Sequence, residues 1–327
     1  MTSLKVVIDA DPGTDDAIGI LVALGSADVE LCGVTTVGGN AAVEVTTDNA
    51  LRLLSAVDRP VPVFAGCAAP LGSGERFGYG SLARPHRPGR DLLGLGLPAT
   101  DRRPEASSAV DFLIDTFTGE RAADAVLVAT GPLTNVASAL RRRPDMARSL
   151  SRLVIMGGSR GTGNATASAD FNFWADPEAA DVVLSAGLPD VVMFPLDATR
   201  AARLTESDCA TIEQSGYVGT LAAQIIRSRM STRAADRSTG APLRSATVHD
   251  ALCAAHLVAS VVDASERCVV RIDTSTGDRR GTSTLEPALG PRTGGIDVVL
   301  HARSDVLART ITEATGRLSA HSASPRP

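Results

Sequence analysis

Short, unbroken apolar runs alternate with stretches of helical period along this chain, and that alternation limits the fold more than any other feature. Residues 4–8, 31–37, 61–64, 125–129, 153–156 and 191–194 are runs rich in Val, Ile and Leu, which suit a pleated surface. Between them, Ile18, Leu21, Val22 and Gly25 share one helical face, and residues 41–57 also read as a helix. A further helix follows residue 129, with Thr134 or Asn135 expected as its cap. Strand–helix alternation predicts a mostly parallel sheet covered on both faces. Runs that are continuously apolar, rather than alternating, agree with strands buried on two sides.

Three polar stretches interrupt the rhythm: 66–105, 157–175 and 231–247. Long stretches of this kind are functional loops or disordered. From residue 267 the runs CVVRID, TSTLE and IDVVL predict strands at a sheet edge, followed by a helix over 304–318. Residues 319–327 are rich in Ser, Ala and Pro and predict a disordered tail. No repeat or linker divides the rest, so the expectation is one α/β domain over 1–318, an open, doubly wound and mostly parallel sheet.

Charge and cysteine content narrow the function. The chain has 327 residues, with 32 basic against 37 acidic, a net charge of −5. That balance argues against a dedicated nucleic-acid partner. No apolar run reaches the roughly 18 residues of a membrane-spanning helix. The opening MTSLKVVIDA has no long apolar run of the secretory type. Five cysteines stand apart with no CxxC pair, which disfavours a disulfide framework or zinc ribbon. Together these predict a cytoplasmic protein that needs neither membrane nor nucleic acid.

The densest chemistry lies directly after the first strand, in Val7-Ile8-Asp9-Ala10-Asp11-Pro12-Gly13-Thr14-Asp15-Asp16. In an open α/β sheet, ligands bind beyond the carboxyl ends of the strands. Two acids suit the first turn of a helix. Four packed together repel, and call for a cation or for raised proton affinity. All-oxygen ligands select calcium or magnesium. An EF-hand is excluded, because the twelfth residue counted from Asp9 is Ile20 rather than Glu.

The turn, DADPGTDDA, resembles the opening DxDPGxDDA of the inosine–uridine-preferring nucleoside hydrolases. Further segments keep that family's order. They are Gly38-Gly39-Asn40, Thr130-Gly131-Pro132-Leu133-Thr134-Asn135, Met156-Gly157-Gly158, Gly163-Asn164, Asp170-Phe171-Asn172, Asp176-Pro177-Glu178-Ala179, Pro195-Leu196-Asp197 and Val248-His249-Asp250-Ala251. Each is weak alone; in order across nearly the whole chain they are specific.

The resemblance implies calcium-dependent hydrolysis of a ribonucleoside to ribose and free base. It implies a calcium site formed by Asp11, Asp16, the Thr130 carbonyl and Asp250, with Asp11 also taking a proton from the attacking water. It places Asp15, Asn40, Met156, Asn164, Asp170, Asn172 and Asp250 around the ribose, and His249 beside the leaving base. It also implies a homodimer or homotetramer. The residue types suit the chemistry on their own terms. An oxocarbenium-like sugar is favoured by nearby negative charge, and a carboxylate serves as general base.

Three positions depart from the family pattern. Asp170 stands where Glu is common. The loop after residue 66 has no clean HGxxG run, so His86 receives no role. Residues 227–244 offer Arg227, Arg229, Arg233, Arg237 and Arg244 where aromatic residues are usual, which raises the alternative of an anionic or carbonyl-rich substrate. Two rival functions stay open at this level. A magnesium-dependent phosphatase using Asp9 or Asp11 as nucleophile would want a downstream lysine, and Lys5 is the only lysine. A riboside sensor without turnover would keep the same binding residues.

Overall fold

A computed structural model describes residues 3–72, 97, 99–119, 125–232, 245–288 and 295–321. The chain begins with β1 (Leu4–Ala10), α1 (Thr14–Gly25), β2 (Val29–Thr36), α2 (Val43–Ala56), β3 (Val63–Ala65) and α3 (Ala109–Thr118). It continues through β4 (Ala125–Ala129), α4 (Thr134–Arg142), α5 (Met146–Ser149), β5 (Arg152–Met156), α6 (Phe171–Ala175), α7 (Pro177–Leu184) and β6 (Val191–Phe194). Next come α8 (Leu196–Ala201), β7 (Arg203–Thr205), α9 (Glu206–Glu213), α10 (Tyr217–Thr232), β8 (Ser245–Thr247) and α11 (His249–His256). The last elements are β9 (Val262–Ile272), β10 (Ser283–Pro287), β11 (Ile296–Ala302) and α12 (Ser304–His321).

Nine strands form one sheet in the order β10-β9-β11-β6-β5-β4-β1-β2-β3. From β3 to β11 every neighbouring pair is parallel, and β9 and β10 are added antiparallel at one edge. Alternation along each strand divides the core. Val6, Ile8, Val126, Val128 and Val154 face one apolar cluster, whereas Val7, Leu127, Leu153 and Ile155 face the other. Both faces are therefore covered, as the continuous apolar runs predict.

The order reverses at β1, which pairs with β2 on one side and β4 on the other. Asp9 is level with Thr35 of β2 and with Ala129 of β4, so three strand ends open into one crevice. This is the position where a doubly wound sheet binds its ligand. Two glycines of α1 let other helices close on it. A β-carbon at Gly19 would meet the Asp250 carbonyl at 3.3 Å, and one at Gly25 would meet that of Ala314 at 2.1 Å. The first approach brings the start of α11 against the middle of α1.

Some local expectations differ from the structure. Neither Thr134 nor Asn135 caps α4; the cap position is Leu133, which makes no side-chain bond. Thr134 instead donates to Asp176 Oδ2 at 2.5 Å, and Asn135 reaches toward β1. His249 and Asp250 form the first turn of α11, after Val248. α12 runs to His321, past the expected start of the tail, because Ser319 Oγ ties back to the Thr315 carbonyl and receives the Val218 N–H; 322–327 lie outside the described residues. The polar stretch 231–247 ends in β8, which pairs antiparallel with β7. Among the described residues, no helix is long and apolar enough to cross a membrane.

Candidate active site

The acidic turn is held open by backbone and side-chain donors from three directions. Gly13 N–H donates to Asp16 Oδ2 at 3.0 Å, and Thr130 Oγ1 donates to Asp16 Oδ1 at 2.9 Å. Asn40 N–H donates to Asp11 Oδ2 at 2.6 Å, while its amide donates to the Asp11 carbonyl at 3.1 Å. From α2, Asn49 Nδ2 donates to the Pro12 carbonyl at 2.9 Å. Glycine is required beside Asp11: a β-carbon at Gly39 would fall 2.1 Å from Asp11 Oδ2.

Carboxylate oxygens of Asp15, Asp16 and Asp250 lie within 4.8 Å of one another. Calcium ligands stand about 2.3–2.6 Å from the ion, so two of them across one ion are separated by about this distance. Asp11, Asp16 and Asp250 are all buried. Burial, joined by the neighbouring carboxylates, raises the proton affinity of all three: Asp16 to about 6, Asp11 and Asp250 well above the ordinary carboxylate value. Buried, mutually repelling oxygen donors fit a hard divalent cation.

The expected ligand set and this group overlap without coinciding. Asp16 and Asp250 belong to both. Asp15, expected at the ribose, is in the group of three, and it also accepts from Arg229 Nη1 at 2.8 Å. Asp11 stands beside the group, coupled to Asp15 and Asp16 by charge. The Thr130 carbonyl accepts from Asn172 Nδ2 at 2.7 Å.

Around the crevice, Asn172 Nδ2 also donates to the Met156 carbonyl at 3.0 Å and lies 3.5 Å from its Sδ. No partner is found for Asn172 Oδ1 among the described residues. Asp170, buried, is the N-cap of α6. Its Oδ1 accepts from Gly158 N–H and Phe173 N–H at 2.9 and 3.0 Å, its Oδ2 from Asn172 N–H at 3.3 Å. Burial raises its pKa to about 6. Asn164 is exposed on the 157–169 loop. Arg200 of α8 clamps that loop through the Thr162 and Gly163 carbonyls, at 2.6 and 2.8 Å.

His249 is buried between two threonines. Its Nδ1 is 2.7 Å from Thr199 Oγ1 and its Nε2 is 3.2 Å from Thr247 Oγ1. His256, one face along the same helix, packs edge-on against Phe194 and takes no part in the crevice.

Beneath the site lies a network that sequence reasoning missed. Asp9 Oδ1 accepts from Thr35 Oγ1 at 2.6 Å and from Asn135 Nδ2 at 2.8 Å. Asn135 also donates to the Thr36 carbonyl and receives Cys67 N–H. Asp9 Oδ2 is buried with no partner among the described residues, and burial pushes this carboxyl to about 6. Of the arginines flagged after residue 226, Arg227 pairs with Glu206 and Glu213, away from the turn. Arg229 joins the turn, and Arg233, Arg237 and Arg244 lie outside the described residues, as does His86.

A sequence profile described as inosine-uridine preferring nucleoside hydrolase matches residues 6–309. Over 287 residues the chain is 33% identical to the pyrimidine-specific ribonucleoside hydrolase RihB of Escherichia coli O157:H7, covering 88% of each chain. The solved purine-preferring ribonucleoside hydrolase from Gardnerella vaginalis matches with a TM-score of 0.83 at 27% identity, over 96% of this chain and 99% of that one. An inosine-guanosine nucleoside hydrolase matches with a TM-score of 0.79 at 25% identity, over 96% and 99% of the two chains.

Proposed function

Because this chain belongs to the inosine–uridine preferring nucleoside hydrolase family, we propose that it hydrolyses the N-glycosidic bond of ribonucleosides in a calcium-dependent reaction. The observation that carries the proposal is the convergence of Asp15, Asp16 and Asp250, with Asp11 beside them, at the switch point of the sheet. Calcium bound by Asp11, Asp16, the Thr130 carbonyl and Asp250 would supply a hard Lewis acid that orients and acidifies a water molecule.

The chain's own residues do the rest. Asp11 accepts the proton of the attacking water, the part of a general base held beside the cation. The water oxygen bonds to the anomeric carbon of ribose as the carbon–nitrogen bond breaks. The electron pair of that bond leaves with the base, and His249 delivers a proton to it, so ribose and a neutral base result. Asp15, Asn40, Asn164, Asn172 and Asp250 hold ribose hydroxyls, with Met156 lining the crevice. The amide of Asn172 is turned to two carbonyls, so its Oδ1 is the atom offered to a hydroxyl. Asp170 serves chiefly by fixing the helix start that carries Asn172.

The rival readings are weaker. A phosphatase lacks its lysine, and the relatives named above are hydrolases rather than sensors. The named specificities of the relatives cover pyrimidine and purine nucleosides, so the test uses both. Ribose release is measured from inosine, adenosine, guanosine, uridine and cytidine with calcium, after chelation, and after calcium is restored. Release that stops on chelation and returns with calcium supports the reading. Release that survives complete chelation overturns the calcium dependence, and none from any nucleoside in the calcium-loaded protein overturns the reaction. Assembly as a homodimer or homotetramer in the cytoplasm belongs to the same proposal, and light scattering on the purified protein reads the assembly.

A further inference from the structure

Arg229, near the end of α10, makes three contacts that join the acidic turn to the strand leading into His249. Its Nη1 donates to Thr14 Oγ1 at 2.6 Å and to Asp15 Oδ1 at 2.8 Å, and its Nε donates to the Thr247 carbonyl at 2.7 Å. The pair is largely enclosed, with 18% and 13% of the two side chains exposed. Asp15 belongs to the group of three carboxylates that fits a cation. A guanidinium and a divalent cation therefore compete for one carboxylate. Arginine does not lose its proton in a protein, so its claim on Asp15 is permanent. Its planar fork also fixes the direction of its partner, which a lysine would not.

We propose that Arg229 is a positioning residue that sorts the carboxylates: it holds Asp15 for the ribose and keeps it off the cation. The inference rests on the calcium and ribose roles proposed above. A neutral side chain at 229 removes a positive charge beside the cation site and leaves Asp15, which already lies within 4.8 Å of Asp16 and Asp250, to the cation. Calcium then binds more tightly while the nucleoside binds more weakly.

The test uses the full-length, metal-stripped protein. Calcium affinity is measured by titration calorimetry, and steady-state kinetics on whichever ribonucleoside the unaltered enzyme cleaves. Arg229→Gln is expected to bind calcium roughly tenfold more tightly, with KM raised roughly tenfold and kcat changed less. Arg229→Lys keeps the charge and loses the fork, so its calcium affinity should stay near the unaltered value while KM still rises. Unchanged or weaker calcium binding in Arg229→Gln, or an unchanged KM, overturns the inference. Asp15→Asn reads the same point without touching the arginine. It should keep calcium affinity within roughly tenfold, whereas a loss of roughly a thousandfold would make Asp15 a ligand and overturn the sorting. An unaltered protein that takes up no calcium overturns the calcium reading itself, and the inference with it.

Discussion

Thr199 Oγ1 lies 2.7 Å from His249 Nδ1, and the same hydroxyl lies 3.2 Å from the Leu196 carbonyl. When the hydroxyl proton goes to the Leu196 carbonyl, the ring Nδ1–H donates to Thr199. In that arrangement the contact fixes the ring by Nδ1, and Nε2, on the Thr247 side, is the nitrogen proposed to carry the proton for the leaving base. Thr199→Val keeps the shape and loses the acceptor. It is expected to slow cleavage of natural nucleosides roughly tenfold to a hundredfold, within the range for general acid catalysis. An activated nitrophenyl riboside, whose leaving group needs no proton, should be cleaved nearly as before, and Thr199→Ser should restore the nucleoside rate. Equal losses on both substrates would show that Thr199 only supports the fold. His249→Ala, measured alongside, should show the same selectivity more strongly.

Gly39 allows Asp11 to sit where it does. A β-carbon there would overlap Asp11 Oδ2 at 2.1 Å, against a carboxylate already fixed by Asn40 N–H. Gly39→Ala should displace that carboxylate and reduce turnover roughly a hundredfold or more, since small misplacement of a catalytic group is severe. Circular dichroism should remain that of the folded protein. Full activity in Gly39→Ala would mean that Asp11 is not the base. Asp11→Ala should abolish turnover.

Asn135 is a test of the layer beneath the site. It donates to Asp9 and to the Thr36 carbonyl and receives Cys67 N–H. Asn135→Ala strands those partners away from water and leaves Asp9 with Thr35 alone. A loss of about 2–6 kcal/mol in unfolding free energy is expected, from one to three kcal/mol for each of the two groups left unpaired, the Thr36 carbonyl and the Cys67 N–H. Denaturant unfolding of the chelated protein measures it without interference from metal. A change under about half a kcal/mol would show that water replaces the amide at no cost.

What the sequence made legible divides by distance along the chain. The parallel sheet was readable because each strand carries its own unbroken apolar run. Asp11 and Asp16 were readable because four acids in one turn are a local anomaly. Asp250 and Thr130 lie far from the turn, and only the ordered resemblance to a known family joined them to it. The cap assigned to Thr134 or Asn135 failed because a local rule competed with partners far away in sequence, Asp176 and Asp9, that bind those side chains more completely. Arg229 was one arginine among several. Nothing nearby distinguishes it from Arg227, and its partner Asp15 is 214 residues away. The β7–β8 pair escaped notice because three-residue strands carry no period.

The buried carboxylates make stability depend on pH in a direction that calcium should partly reverse. Burial raises Asp9, Asp16 and Asp170 from 3.8 to about 6, and with the neighbouring carboxylates it holds Asp11 and Asp250 well above the ordinary carboxylate value. Between these values the folded chain keeps protons that the unfolded chain has released. Stability from these groups is therefore full below about pH 4 and falls as pH rises through about 6. For Asp170 alone the shift corresponds to about 3 kcal/mol. Exposed acids such as Asp111 and Asp145 are held low by hydrogen bonds and arginine and slope the other way, so the comparison with and without calcium isolates the site. A bound cation favours the ionised forms of Asp11, Asp16 and Asp250 and binds only the folded state. Calcium should raise the midpoint of thermal unfolding clearly at about pH 7 and little at about pH 5, where those carboxyls hold protons. Asp9 and Asp170 keep their slope in either case, and Asp170→Asn should flatten its share with calcium absent. A calcium-induced rise that is larger at pH 5 than at pH 7 would mean that the ion does not sit on these carboxylates.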